Sequence, residues 1–315
     1  MATILIDYGV PMEGFCALQG HDILCPPPYQ QFTQEEMLAY LPKADAMCSC
    51  KTLSADMIAV ANKLQLIVCY GAGYDAIDVQ AASAKGIKVC NVPQTVTTPT
   101  AETAFTLLCM LAKRIPLRTQ QLKTQDPNHV FVLGKDMGTS IDGATLGIVG
   151  MGRIGQKMAD FGRAFGMKIL YHSRSPKPQC DALGDCFVDL DTLLTQADFV
   201  SLHCPHTPNT THLLSDEKLA LMKPSAYLIN TARGAVVDED ALICRLQNGQ
   251  IAGAGLDVFQ GEPHFNPVWL TLDSVILTPH IGSNTVQARY QMGEIISKQI
   301  LTVLSGGTPE HWINP

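Results

Sequence analysis

The 315-residue sequence predicts an α/β protein made of two parallel-sheet units laid end to end. Short apolar runs typical of strands alternate with amphipathic helical runs along the chain, and this alternation indicates parallel sheets. In the middle of the chain a glycine-rich turn follows a strand and opens a helix, as in a dinucleotide-binding βαβ unit. The length is sufficient for two domains.

The first unit is predicted from strands and helices that alternate with turn residues between them. Its strands are predicted at residues 3–6, 22–25, 44–48, 65–69 and 88–91. Its helices are predicted at residues 35–41, 55–62 and 78–84. An apolar helix at 101–112 leads out of this unit, and a polar segment at 124–143, interrupted by glycine and proline, leads into the second.

The glycine turn joins a strand at 146–149 to a helix at 154–165. Gly150 allows the tight turn, Gly152 lets the backbone approach a pyrophosphate, and Gly155 lets the helix pack closely on the strand. Backbone N–H groups at the helix start then face the anion. The predicted pyrophosphate contacts are Gly150, Gly152, Arg153, Ile154 and Gly155.

The end of the next strand, predicted at 167–171, indicates which dinucleotide binds. NAD-binding domains place an Asp or Glu there for the ribose 2′-hydroxyl, whereas this chain has His172, Ser173, Arg174 and Ser175, with Lys177 nearby. A guanidinium and a hydroxyl suit a 2′-phosphate. We therefore predict NADP(H) in preference to NAD(H), the alternative being that this is an ordinary solvated basic turn.

The second unit continues past this turn as alternating strands and helices. Its further strands are predicted at residues 199–203, 226–229, 252–257 and 275–277. Its helices are predicted at residues 216–222 and 238–248, and a final helix at 286–304.

The composition excludes several classes of protein. Apolar residues make up 46% and charged residues 16%, and 22 basic against 29 acidic residues give a net charge of −7. That balance argues against a nucleic-acid or anionic-membrane surface. The eleven cysteines are scattered, and Cys48 and Cys50 lack zinc-ligand spacing, so we predict thiols in a cytoplasmic protein and no metal site.

Three residues that could do chemistry follow the later strands: Arg233, Glu262 and His280. Ligands of open α/β sheets bind beyond the carboxyl ends of the strands. Reduction of a ketone by a nicotinamide requires a proton donor and positive charge near the oxygen. His280 could donate the proton, and Glu262 could favour and orient its imidazolium. Arg233 could pair with the carboxylate of a 2-keto acid and polarise the adjacent carbonyl.

The segments around these residues resemble the signature segments of the D-isomer-specific 2-hydroxyacid dehydrogenases. The resemblance spans nearly the whole chain and includes residues 70–78, 200–205, 230–238, 256–263 and 277–283. It implies a flavodoxin-like substrate domain of residues 1–98 and 287–315 and a Rossmann domain of residues 99–286, both doubly wound, with catalysis in the interdomain cleft.

The resemblance also implies roles for individual residues. Arg233 binds the keto acid, His280 donates the proton and Glu262 is its carboxylate partner. Backbone N–H groups at Ala72 and Gly73 bind the substrate carboxylate. Cys50 lies on a loop that helps to line the substrate pocket. The implied further cofactor contacts are Pro205, Thr231, Ala232 and Asp257, the last near the nicotinamide carboxamide.

Within the family, the residues from Tyr171 to Lys177 are similar to those of NADP-using glyoxylate, hydroxypyruvate and hydroxyphenylpyruvate reductases. Phosphoglycerate dehydrogenases place Asp at the position of His172. The expected function is thus NADPH-dependent reduction of small 2-keto acids to D-hydroxy acids. The alternatives are an NAD-preferring dehydrogenase and a dinucleotide-sensing corepressor-like protein, since fold does not fix function.

Two positions depart from the family pattern. Residues 127–131 stand where a Gly-x-Trp is common, and His206 stands where a Leu is common. Both departures concern the cleft wall or subunit contact and not the chemistry. The homodimer is expected from the resemblance alone. Lys51 is either a contact for a second acidic group of the substrate or a solvated loop residue.

Overall fold

The computed structural model describes residues 1–126 and 130–315 and divides into two compact units. Unit 1 comprises Met1–Pro99 and Ser283–Pro315, and unit 2 comprises Thr100–Gly282. The predicted divisions after residues 98 and 286 lie one and four residues from these bounds. The predicted fold class is confirmed, because each unit is an α/β domain with a wholly parallel sheet.

Unit 1 contains a five-stranded sheet in the order β2-β1-β3-β4-β5. Its strands are β1 (Thr3–Ile6), β2 (Asp22–Leu24), β3 (Ala46–Ser49), β4 (Leu66–Cys69) and β5 (Lys88–Cys90). Its helices are α1 (Gln34–Tyr40), α2 (Ala55–Val60) and α3 (Val79–Ala84). This strand order reverses direction between β1 and β3, which is where doubly wound sheets bind ligands.

The last helix of the chain covers one face of this sheet. This final helix spans Val286–Leu304. Two other helices lie before the first strand of unit 2: α4 (Thr97–Ala112), which crosses the unit boundary, and α5 (Ile115–Thr124). Apolar residues of the final helix, including Met292 and Ile296, pack in one core with strand residues of unit 1. Gly293 meets Gly14 so closely that a Cβ on Gly293 would lie 2.8 Å from Gly14 backbone atoms.

Unit 2 contains a seven-stranded sheet in the order β12-β11-β10-β9-β6-β7-β8. Its strands are β6 (Thr145–Val149), β7 (Lys168–His172), β8 (Cys186–Phe187), β9 (Phe199–Leu202), β10 (Tyr227–Asn230), β11 (Gly253–Leu256) and β12 (Val275–Leu277). Its helices are α6 (Arg153–Ala164), α7 (Pro178–Asp181), α8 (Leu190–Gln196), α9 (Asp216–Leu219) and α10 (Glu239–Gln247), so that the final helix is α11. A separate apolar core lies on each face of the sheet.

Some elements differ from the sequence prediction for identifiable reasons. Helix α5 was not predicted, because it buries none of its residues and so has no apolar face. Strand β8 was missed because it has only two residues, both exposed. Within the described residues, no helix is long and apolar enough to cross a membrane.

Candidate active site

The glycine turn after β6 has the shape of a diphosphate cradle. A Cβ on Gly155 would lie 2.2 Å from the carbonyl oxygen of Gly150, so helix and turn meet only because residue 155 is glycine. Gly150 has a φ of 100°, and a Cβ on it would lie 2.6 Å from backbone atoms of His203 and Cys204. A Cβ on Gly152 would meet open space.

Helix α6 begins at Arg153, and its N-cap residue, Gly152, has no side chain that could accept from the first N–H groups of the helix. The first N–H groups of a helix have no partner within it, so those of Arg153 and Ile154 are available to an anion. The residues present therefore fit the pyrophosphate of a dinucleotide.

Two buried polar atoms at the same sheet edge lack a partner within the described chain: Oγ1 of Thr231 and Nδ1 of His203. Both residues directly follow strands that pair in parallel, with Asn230 opposite Leu202. Unpartnered buried polar groups are uncommon, and they fit a site that a ligand completes. Thr231 was predicted as a cofactor contact, whereas His203 was not.

His203 is a half-buried base whose Nδ1 is fully buried. Its Nε2 lies 2.9 Å from Oγ of Ser201 on the preceding strand. Burial lowers the pKa of the imidazole from its ordinary 6.5 to about 3, because the charged form would lose its water. His203 is thus neutral at ordinary pH. Two residues after His203, the carbonyl of Pro205 accepts from Oγ1 of Thr210 at 2.7 Å.

The loop after β7 carries the predicted 2′-phosphate contacts. Arg174 and Ser175 are exposed, and Arg174 has no ion-pair partner among the residues the structure describes. The hydroxyl of Ser173 donates to the carbonyl of Ser175 at 2.7 Å, which tightens the turn. The imidazole Nδ1 of His172 lies 3.1 Å from the carbonyl oxygen of Val188.

His280 and Glu262 form the central pair of the site. Nδ1 of His280 lies 2.7 Å from Oε2 of Glu262. An ionised carboxylate only accepts hydrogen bonds, so Nδ1 carries the hydrogen. Nε2 of His280 has no partner in residues 1–126 or 130–315, and half of the side chain, 51%, is exposed. The structure therefore brings together the two residues that the sequence predicted to work as a pair.

The carboxylate of Glu262 is stabilised in its charged form. Partial burial acts to raise its pKa, but hydrogen bonds from His280 and from the Phe259 N–H, together with the charges of His280 and Arg233, outweigh burial and lower it. The Phe259 N–H donates to Oε1 of Glu262 at 2.7 Å. Glu262 consequently stays anionic beside the imidazole at neutral pH.

Asp257 shapes the loop that carries His280. It is 1% exposed and directly follows β11. Its Oδ1 accepts from the Thr278 hydroxyl at 2.6 Å and the Ile281 N–H at 2.8 Å, and its Oδ2 accepts from the Gly282 N–H at 2.8 Å. His280, between these donors, has a φ of 53°.

A left-handed backbone at a residue other than glycine stores strain, commonly at functional positions. The N–H of His280 also donates to the carbonyl of Asp257 at 2.9 Å, so that Asp257 holds the loop through backbone and side chain alike. Burial raises the pKa of the Asp257 carboxyl against the effect of the three donors. The sequence prediction gave Asp257 only a cofactor contact and missed this function in the loop.

Arg233 is held by two neighbours that sequence reasoning did not single out. The Asn230 side chain accepts from the Ala232 N–H and donates to the Arg233 carbonyl, both at 3.0 Å. A Cβ on Gly234 would lie 2.0 Å from the backbone of Phe259, so the Arg233 loop packs directly against the segment that leads to Glu262. The guanidinium Nη1 donates to the Ala232 carbonyl at 2.7 Å.

In unit 1 the loop that carries Cys50, a predicted substrate residue, is hydrogen-bonded to a buried aspartate. Asp7 follows β1 and is 1% exposed. Its Oδ1 accepts from the Cys50 N–H at 2.8 Å, and its Oδ2 accepts from the Ser49 hydroxyl at 3.0 Å. Burial raises the pKa of Asp7, while these donors and the charge of Lys51 oppose the shift. Asp7 lies where β1 and β3 adjoin, and its own position in the sequence gave no signal.

Ala72 and Gly73 follow β4 in unit 1. The Ala72 carbonyl accepts from the Asn91 side chain at 2.7 Å. The N–H groups of Ala72 and Gly73 have no acceptor within the described chain. This turn thus offers two free amide donors to an anion.

Of the first departure from the family pattern, at residues 127–131, the structure describes Val130 and Phe131. Pro127, Asn128 and His129 lie outside the described residues. His206 is described, and its Nε2 lies 2.9 Å from Oγ1 of Thr211. An imidazole there is thus accommodated by a threonine hydroxyl in its own loop.

Unit 2 is therefore a dinucleotide-binding domain of a dehydrogenase type, with a His–Glu pair at its sheet edge. The sequence profile described as "D-isomer specific 2-hydroxyacid dehydrogenase, NAD binding domain" matches residues 105–282. The chain belongs to this family of oxidoreductases, and the domain binds a nicotinamide dinucleotide.

The chain is similar to named relatives along most of its length. A glyoxylate reductase of Thermococcus litoralis is 43% identical over 287 residues, which cover 88% of this chain and 86% of the relative. A solved NADPH-dependent glyoxylate/hydroxypyruvate reductase of Sinorhizobium meliloti, in complex with NADP and malonate, is 29% identical with a TM-score of 0.85, covering 99% of this chain and 96% of the other.

A D-lactate dehydrogenase of Aquifex aeolicus, complexed with NAD and lactic acid, is also similar. It is 29% identical with a TM-score of 0.88 and covers 99% of both chains. These relatives support 2-keto acid reduction, and their structures contain both forms of the cofactor.

Proposed function

We propose that the protein is an NADPH-dependent reductase that converts small 2-keto acids, such as glyoxylate or hydroxypyruvate, to 2-hydroxy acids, of D configuration where the product has a stereocentre. The observation that carries this proposal is the His280–Glu262 pair, 2.7 Å apart, in the same domain as the glycine cradle. The pair combines a proton donor with a fixed orientation, which is what reduction of a carbonyl needs.

His280 donates the proton. Its Nδ1 is engaged by Glu262, so Nε2 faces the substrate and gives its hydrogen to the carbonyl oxygen as that oxygen becomes a hydroxyl. The anionic Glu262 stabilises the imidazolium before transfer. A bound reduced nicotinamide supplies the hydride that the carbonyl carbon receives. One proton and one hydride together convert the carbonyl group to the alcohol.

The substrate is held as an anion. Arg233 binds the carboxylate of the keto acid and polarises the adjacent carbonyl. In unit 1 the N–H groups of Ala72 and Gly73, which have no acceptor in the described chain, bind a substrate carboxylate, and Cys50 lines the substrate pocket. A carboxylate beside a carbonyl is what defines a 2-keto acid, so these donors select that class.

The cofactor is held by backbone groups at the glycine turn and by the loop after β7. The pyrophosphate would be held by Gly150, Gly152, Arg153, Ile154 and Gly155. The 2′-phosphate would be held by Ser173, Arg174 and Ser175. The nicotinamide side would be lined by Pro205, Ala232, Asp257 and Thr231, whose buried Oγ1 has no partner in the described chain. The exposed guanidinium of Arg174 and the lack of a carboxylate at position 172 support preference for NADPH.

Initial-rate oxidation of NADPH, and separately of NADH, against a panel of keto acids tests the proposal. The panel contains glyoxylate, hydroxypyruvate, pyruvate, phenylpyruvate and branched keto acids. We expect NADPH to be preferred, with glyoxylate or hydroxypyruvate among the good substrates. Preference for NADH would contradict the role given to Arg174, and no turnover with any member would contradict the proposed reaction.

Replacement of His280 tests the proton donor. We expect His280→Ala to lower kcat by about two orders of magnitude or more while NADPH binding persists, because general acid catalysis contributes on that scale. His264→Ala, at an exposed histidine sixteen residues before it, is the control. A kcat for His280→Ala equal to that of the control would remove His280 from the mechanism.

We also propose that unit 2 forms a homodimer. Large apolar side chains between residues 115 and 137 are strongly exposed, including Phe131 (79%), Leu133 (103%) and Met137 (74%). Helix α5 in the same stretch buries no residue. A second copy of the chain would cover this surface. Sedimentation of Leu133→Asp should show a shift toward monomer, and an unchanged dimer would place the contact elsewhere.

The proposed compartment is the reducing cytoplasm. All eleven cysteines are thiols in the structure, and several, including Cys48, Cys69 and Cys90, are buried in unit 1. Persisting thiols are typical of that compartment.

A further inference from the structure

A hydrogen-bonded tyrosine lies behind the loop that carries the proposed 2′-phosphate contacts. Tyr171 on β7 is fully buried, with 0% exposure. Its ring packs against Phe187 of the neighbouring strand, with the ring centroids 5.5 Å apart. A ring this deep in the core is rigid, so its hydroxyl is a fixed point beneath the loop.

The hydroxyl of Tyr171 makes two hydrogen bonds. It donates to Oδ1 of Asp181 at 2.6 Å and accepts from the backbone N–H of Lys177 at 2.7 Å. Lys177 is both the last residue of the loop and the N-cap of α7. The bonds thus tie the far end of the loop to the strand from which the loop starts.

The near end of the loop is tied separately. Ser173 follows β7 almost directly, and its hydroxyl donates to the carbonyl of Ser175 at 2.7 Å. Arg174, between them, is exposed. With both ends fixed, the backbone beneath Arg174 has few alternative conformations to lose when an anion binds.

We propose that Tyr171 is a positioning residue for cofactor choice: its hydroxyl holds the 173–177 loop in the conformation that binds the 2′-phosphate. It does not touch the phosphate itself. The inference rests on the proposed preference for NADPH and adds a residue that acts through Ser173, Arg174 and Lys177.

The arrangement is stable across ordinary pH. Burial and the bond to Asp181 raise the pKa of Tyr171 to about 12, so the hydroxyl keeps its hydrogen and serves as donor and acceptor together. The Tyr171→Phe substitution removes only this oxygen and leaves the ring in the core.

Binding of two small nucleotides, measured by isothermal titration calorimetry, tests the inference without turnover. Adenosine 2′,5′-bisphosphate carries the 2′-phosphate, and adenosine 5′-monophosphate lacks it. We expect Tyr171→Phe to weaken binding of the bisphosphate about fivefold, on the scale of one net hydrogen bond, and to change the monophosphate by less than about twofold. The Kd of NADPH should rise with that of the bisphosphate.

Two further variants make the result specific. Tyr227→Phe removes a hydroxyl with no hydrogen bond in the described chain from the same sheet, where the ring stacks on Phe199, and should change neither nucleotide. Asp181→Ala, at an exposed position, removes the acceptor of the Tyr171 hydroxyl and should weaken the bisphosphate by about two- to threefold, a fraction of one hydrogen bond. It serves equally if Tyr171→Phe fails to fold.

The outcomes separate the inference from the proposed function. If Arg174→Ala weakens the bisphosphate but Tyr171→Phe leaves it unchanged, or weakens both nucleotides equally, the positioning role is wrong and NADPH preference stands. If the unmodified protein binds both nucleotides alike and Arg174→Ala changes neither, the 2′-phosphate site is wrong, and the role of Tyr171 is overturned with it.

Discussion

Unit 1 and unit 2 each contain a buried aspartate that directly follows a parallel strand and holds a neighbouring loop. Asp7 follows β1 and binds the loop after β3, and Asp257 follows β11 and binds the loop after β12. Both are 1% exposed, and burial raises the pKa of both carboxyls. The two aspartates thus occupy similar positions in their sheets, but the groups that donate hydrogen bonds to them differ.

The difference lies in how adaptable the donors are. One oxygen of Asp7 faces a backbone N–H and the other faces the hydroxyl of Ser49, which can also accept a hydrogen bond. Each oxygen of Asp257 faces a backbone N–H, which only donates. Replacing the carboxylate by an amide should therefore disturb the loop little at Asp7. At Asp257 it should disturb the loop strongly, because the amide NH2 group would face a backbone N–H, and two donors cannot form a hydrogen bond with each other.

The largest expected effect is that of Asp257→Asn. The amide cannot satisfy both Ile281 and Gly282, so the loop that holds His280 at its φ of 53° loosens. We expect kcat to fall about 100-fold, the scale of a small misplacement of a catalytic group, while the Kd of NADPH changes little. A large rise in that Kd with kcat preserved would instead favour the nicotinamide contact as the main role of Asp257.

A smaller effect is expected for Asp7→Asn, which is the matched variant in unit 1. The amide nitrogen can donate to the Ser49 hydroxyl while the amide oxygen accepts from Cys50, so the loop of Cys50 and Lys51 shifts only slightly. We expect KM for the keto acid to rise about threefold, on the scale of one weakened hydrogen bond, with kcat within about twofold. Equal losses of kcat in the two variants would contradict the distinction between the donors.

The smallest effect concerns His203, a half-buried base that we compare with the two buried acids. Its folded pKa of about 3 lies below its ordinary value of 6.5, so the unfolded chain binds more protons between these values. Stability from this residue is full above about 6.5 and is lost as pH falls. We expect the Tm of the unmodified protein to drop more than that of His203→Gln between about pH 6.5 and 4.

The raised pKa values of Asp7 and Asp257 make the folded protein less stable as pH rises, which is opposite to the effect of His203. The His203→Gln variant keeps both aspartates, so the difference between its Tm curve and that of the unmodified protein measures the contribution of His203 alone. His264→Gln, at an exposed histidine, controls for the loss of a histidine as such. Parallel Tm curves for the unmodified protein and His203→Gln would show that the imidazole is hydrated in solution.

Local patterns were enough to predict the parts of the molecule that obey local rules. The glycine turn needs three residues at fixed spacing, and the packing of Gly155 on Gly150 follows from that spacing. Glu262 and His280 follow strands of one parallel sheet, so their proximity could be expected from strand ends alone, and the 2.7 Å contact agrees.

The rest depends on pairings that no local pattern encodes. Asp7 and Ser49 are 42 positions apart and meet only because β1 and β3 are adjacent in the sheet. The donors of Asp257 lie 21 to 25 positions further along the chain. The hydroxyl of Tyr171 binds residues six and ten positions away, but a tyrosine in an apolar run reads only as core.

The glycine contact between Gly14 and Gly293 also bears on how the chain folds during synthesis. Residues 1–99 leave the ribosome first, yet one face of their sheet is covered by the helix Val286–Leu304, which emerges after all of unit 2. Unit 2 is continuous in sequence and has its whole core available earlier. Of the two halves of this enzyme, the one translated first is thus the one that must wait, with apolar surface uncovered, for the last helix to arrive.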